Sequence, residues 1–147
     1  MDRERIFRRI AGQARWEYQQ AGTEVARHVN RLRRLRARRE SLVAEIDSLG
    51  REQLQQLESG QLDADQRHHA LGLIAELSAS LPAWEQAEQQ QARAVLEARQ
   101  ALARARKRKE KTEDKCRELR EQWQEEHRQR EARELEDIYI NNHGSVV

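Results

Sequence analysis

Five histidines and one cysteine are the side chains of this 147-residue chain best suited to metal or nucleophilic chemistry, and their spacing supports neither. The histidines are His28, His68, His69, His127 and His143, with one adjacent pair. Neighbours on a helix point about 100° apart, so His68 and His69 cannot grip one ion together. No HxxxH, ExxH or CxxC spacing occurs, and no Gly-rich loop could cradle a phosphate. The expectation is a non-enzymatic protein with no catalytic residue, no metal site and no cofactor. Cys116 falls on an apolar stripe, where a small buried hydrophobe is a better reading than a reactive thiol. As the only cysteine it can form no internal disulfide.

Charge is the other chemistry on offer. Arg31, Arg33, Arg34, Arg36, Arg38 and Arg39 crowd nine positions, and Arg104, Arg106, Lys107, Arg108, Lys109 and Lys111 form a second cluster. Such runs can neutralise the phosphates of a nucleic acid. Here no aromatics interleave them, so bases have no stacking platform. Glu40, Glu45, Glu110, Glu113 and Asp114 dilute both runs, and the whole chain carries a net charge of only +2. A solvated helix face explains the runs best, partner-protein docking comes second, and nucleic acid is disfavoured.

The elements that hold these residues follow from composition and period. Charged residues make up 37% of the chain, aromatics 4%, with one Pro and six Gly, a mix that suits long helices and not a thick globular core. A heptad reading picks out Phe7, Ala11, Ala14, Tyr18, Ala21, Val25, His28, Leu32, Leu35, Arg39, Leu42, Ile46 and Leu49. Eleven of the thirteen are hydrophobic where chance gives about five, so the 3.5-residue repeat is real and disorder is set aside. A second seam runs Ala70, Ile74, Leu77, Leu81, Trp84, Glu88, Gln91, Val95, Ala98, Leu102, Ala105, Lys109, Thr112, Cys116, Leu119 and Trp123. Beyond Trp123, Leu135 and Ile138 lie on a different stripe.

Between the seams, Gly60 suits a helix C-cap, and Asp63 with Gln66 reads as a capping box. The predicted fold is therefore all-α: one long antiparallel two-helix coiled-coil hairpin over residues 1–147. Helix 1 covers about 3–57, the turn about 58–63 and helix 2 about 64–140, with a kink or first-turn restart near Pro82. Folding back sets Leu49 near Leu73 and Phe7 near Cys116. A C-terminal helical overhang from about Arg120 to Ile140 is left without an intrachain partner. Trp123, Leu135, Ile138, Tyr139 and Ile140 on that overhang need covering by something. At the turn end, Leu71, Leu73, Ile74 and Leu77 either widen the core under Leu54, Leu57 and Leu62 or form an exposed patch.

No apolar run reaches the roughly 20 residues needed to span a bilayer, and Met1-Asp2-Arg3-Glu4-Arg5 is followed by no apolar segment of a signal peptide. A cytoplasmic protein with no direct membrane insertion is expected.

The layout resembles the FliJ and YscO-like proteins, the small stalk proteins of bacterial type III secretion export ATPases. The resemblance lies in length, in the helix–short turn–longer helix plan, and in the opening Arg5-Ile6-Phe7-Arg8-Arg9-Ile10. It extends to the charged tail Gln129-Arg130-Glu131-Ala132-Arg133-Glu134-Leu135-Glu136-Asp137-Ile138. The opening and tail look closer to the injectisome members than to the flagellar ones. The resemblance implies a central shaft whose paired helical ends insert in a hexameric export ATPase, with Phe7, Ile10, Trp123, Leu135 and Ile138 at that end. It also implies contact with the cytoplasmic domain of an export-gate membrane protein through Leu73 and Leu77, binding of unladen secretion chaperones, and a place peripheral to the inner-membrane apparatus. Leu73 departs from the family's gate motif in lacking an aromatic ring. Two other functions fit the same residues: a nucleic-acid-binding coiled coil using the Arg31–Arg39 cluster, and a homodimeric scaffold that buries the overhang symmetrically.

Overall fold

A computed structural model describes residues 2–61 and 63–144. Among these the chain is two long helices packed together, α1 (Asp2–Ser59) and α2 (Ala64–Gly144), with no strands. Helix α1 stops where Gly60 takes a positive φ of 69°, a conformation that a Cβ would strain. Asp63 restarts the chain as an N-cap. Its carboxylate accepts from the backbone N–H of Asp65 at 3.1 Å, and its carbonyl accepts from Arg67 N–H at 3.0 Å. The reciprocal half of the expected capping box is not formed, since Gln66 returns no bond to Asp63. Leu62 lies outside the described residues.

Pro82 sits inside α2, which continues through it, so of the expected kink or restart the restart is not present. A proline here removes one backbone donor. Ser80 Oγ donates to the Leu77 carbonyl at 2.8 Å, one bond of the kind that local side chains offer in a weakened turn.

The packing divides into two compact units. Unit 1 joins Met1–Ala21 to Leu102–Val147, and unit 2 is Gly22–Ala101. In unit 1 the core is narrow, built on buried Ala11 and Ala14 with half-buried Phe7, Tyr18, Leu102, Ala105, Cys116 and Leu119. In unit 2 it is larger, with Leu32, Leu42 and Val95 buried. All thirteen positions of the first heptad seam are buried or half-buried, and so are all of the second up to Leu119. The seam is therefore the line along which apolar area leaves water. Polar seam members are covered too, and each one has a partner.

Candidate interaction surfaces

Unit 2 carries a polar layer in its seam. Gln91, which is buried, donates from Nε2 to the His28 carbonyl at 3.0 Å and lies 3.0 Å from His28 Nδ1. The opposite ring nitrogen, His28 Nε2, is 3.7 Å from Glu24. One layer on, Glu88 takes Arg36 at 3.2 Å on one carboxylate oxygen and Arg39 at 2.5 Å on the other. Two charge-assisted bonds from guanidinium groups satisfy this half-buried carboxylate. Its hydrogen bond to Arg39 holds Glu88 below the usual carboxylate range, against the opposing effect of burial, and Arg36 adds to the lowering. The same bond raises Arg39.

The sign of the pH dependence follows. A carboxyl with a lowered folded value stabilises the fold above the unfolded range near about 4.3, and that contribution is lost as pH falls through the folded value. Glu88→Gln is expected to flatten the acid limb of the thermal melting curve below about pH 5. An acid limb of unchanged slope in circular-dichroism melts would show that the Glu88 pair is energetically silent.

This layer reorganises the basic run. Arg36 and Arg39 turn to Glu88, whereas Arg31, Arg33, Arg34 and Arg38 are exposed with no acid at ion-pair distance among the described residues. Arg38 lies over the Trp84 ring, 5.7 Å from its centroid. The six arginines are thus two populations, a distinction that their one-dimensional crowding does not contain. In the second cluster, Arg106 pairs with Glu110 and Arg108 with Glu17 at 3.0 Å, while Lys109 sits 4.9 Å from the Tyr18 ring centroid.

In unit 2 near the turn, Leu54, Leu57, Leu71 and Leu73 are all exposed, whereas Ile74 and Leu77 are half-buried. Of the two arrangements expected at the turn end, this exposure favours the exposed patch over the widened core. Leu73 is available at 40% exposure, and Leu77 belongs partly to the seam.

In unit 1, Phe7 and Ile10 of α1 and Trp123, Leu135 and Ile138 of α2 differ in exposure. Phe7 and Ile10 are half-buried and Ile6 beside them is exposed. Buried Glu4 accepts from Arg8 at 2.9 Å and lies 3.5 Å from Arg120, which ties the start of α1 to α2. Arg3 and Glu4 share a shallow hollow with Leu119, Gln122, Trp123 and Glu126. Trp123 also stacks on His127 with ring centroids 5.2 Å apart. Trp123, expected on the overhang without a partner across the hairpin, is 39% exposed and sits at the base of the overhang.

Every described residue from Arg120 onward is exposed. The stretch 124–134 is polar apart from Ala132, and local pairs such as His127–Glu131 at 3.2 Å and Arg128–Glu125 at 3.6 Å support it. Such pairs contribute about 0.2–0.5 kcal/mol each to a lone helix. Leu135, Ile138 and Tyr139 then share one face at i, i+3 and i+4, with Ile140 beside them. Sequence reasoning missed Trp16 and Leu96, both exposed and off the seam; a search for large apolar residues outside the heptad positions would have found them.

Among the described residues no group of three or more His, Cys, Asp or Glu could hold a metal ion, and no helix is long and apolar enough to cross a membrane. No protein-family model, curated protein or solved structure matches the chain.

Proposed function

We propose that this chain is a central-stalk and adaptor protein of a bacterial type III secretion apparatus, injectisome type favoured. In this reading the two helices form an antiparallel coiled-coil hairpin of the FliJ and YscO-like kind. It links a hexameric export ATPase to the cytoplasmic domain of an export-gate protein and receives unladen chaperones. It works in the cytoplasm, at the periphery of the inner-membrane apparatus, without chemistry of its own.

The observation that carries the reading is the lone end of α2, where Leu135, Ile138, Tyr139 and Ile140 are all more than half exposed. A helix that is polar for several turns and then apolar over its last turns has no reason to stay in water unless a partner covers that face. The antiparallel arrangement is supported in each unit by the ion pairs and hydrogen bonds between the helices. Glu4, Arg15 and Glu17 of α1 meet Arg120, Glu113 and Arg108 of α2, and in unit 2 His28 and Arg39 meet Gln91 and Glu88. Leu73, with Leu77 partly behind it, is the surface offered to the gate.

The test is co-sedimentation with a purified hexameric export ATPase. Ending the chain after Arg120 should remove binding while far-ultraviolet circular dichroism still reports a helical pair. Unchanged binding by the shortened chain would overturn the assignment, and a full-length chain that sediments as a dimer through the same residues would replace it with a scaffold.

A further inference from the structure

Between Glu24 and Glu40, the α1 arginines left without an acid at ion-pair distance are Arg31, Arg33, Arg34 and Arg38, and three of them fall in one stripe. Arg27, Arg31, Arg34 and Arg38 recur at i, i+4, i+7 and i+11, which places them in one stripe down α1, and all four are exposed. Arg27 is engaged by Glu24 at 2.7 Å; the other three are not. No acid occurs on α1 between Glu24 and Glu40. The stripe flanks the seam on the side where Arg38 reaches Trp84, opposite the side where Arg36 and Arg39 share a hollow with Glu85, Gln89 and Ala92. On that flank α2 presents Ala87 and Ala94, both half-buried, with Ala83 and Gln90 exposed outside them. Along the Ala83–Gln90 row of α2 the nearest acids are Glu76 and Glu97, one heptad to either side.

We infer that this flank is a docking groove for an acidic helix of a partner protein, with Ala87 and Ala94 as its floor and Arg31, Arg34 and Arg38 as its charged wall. Alanine lets a third helix approach to the usual interaxial distance of about 8–10 Å. The wall residues are arginines throughout, and a guanidinium grips a carboxylate through two parallel hydrogen bonds. Their heptad-like spacing matches glutamates repeating down a helix, the way flanking charges choose partners in coiled coils. A nucleic acid would call for cations on both banks, and the α2 bank supplies none. The groove is separate from the lone end of α2, so it does not depend on the stalk reading.

The probe is a labelled helical peptide with glutamates at i, i+4, i+7 and i+11 and an alanine face, titrated with the full chain and read by fluorescence anisotropy. The triple variant R31E/R34E/R38E should weaken binding at least about tenfold with helix content unchanged. R31K/R34K/R38K should lose several-fold, because charge remains and the fork does not. The chain ended after Arg120 should bind the peptide normally, which separates this result from the fate of the ATPase reading. Equal binding by the charge-reversed chain, or of a scrambled peptide of the same charge, would overturn the inference. So would a duplex oligonucleotide or anionic vesicles held more tightly than the peptide through the same three arginines.

Discussion

Replacing Leu135 and Ile138 together by glutamine is expected, on the proposed stalk function, to weaken binding to a hexameric export ATPase by about a hundredfold or more while leaving the fold intact. The two halves of this expectation come from one fact. Leu135 is 68% exposed and Ile138 56% in the isolated chain. Little burial is lost on substitution, and glutamine is a good helix former, so unfolding stability should stay within about 0.5 kcal/mol. In a complex that buries both side chains, each contributes about 1.5–3 kcal/mol, and every 1.4 kcal/mol is tenfold in affinity. Paired measurements decide it: a binding isotherm on the purified ATPase and a urea melt of the free chain. A variant that binds normally would remove the apolar end of α2 from the interface. One that unfolds early would show that this end supports the fold of the free chain.

The converse holds for Leu42→Ala, which is expected to destabilise the helix pair by about 2–4 kcal/mol without touching any exposed surface. Leu42 is only 2% exposed, one turn beyond Arg38 in unit 2. Truncation removes its transfer energy and leaves a void in the seam. A protein of two helices has few such residues, so one void is a large share of the total. Urea midpoints by circular dichroism check it, with Leu54→Ala as the control: Leu54 is exposed and should cost under about 0.5 kcal/mol. A loss below about 1 kcal/mol at Leu42 would mean that the seam is held mainly by its polar layer.

The heptad seams were legible because burial along a helix pair is a periodic, nearly one-dimensional property. Phe7 through Leu49 could be read off with a rule of threes and fours, including the polar members His28 and Arg39, and every one is covered. Gly60 and Asp63 were legible for a similar reason, since caps and turns are local. The apolar end at Leu135–Ile140 was legible as residues in excess of any seam.

What the sequence by itself determined is thus the helical state, the turn, the line of burial and the unmatched end. Only the tertiary structure decided which charges are satisfied. The crowding of Arg31 to Arg39 says nothing about Glu88, some fifty residues away, choosing Arg36 and Arg39. Nor does it show that Arg31, Arg34 and Arg38 are left without an acid at ion-pair distance, or that Arg3, Glu4 and Trp123 line one shallow hollow. A heptad repeat looks the same after a slip of one heptad. Cross-helix pairing depends on the one register that the summed contacts of both helices select, and that sum is not written in either helix alone.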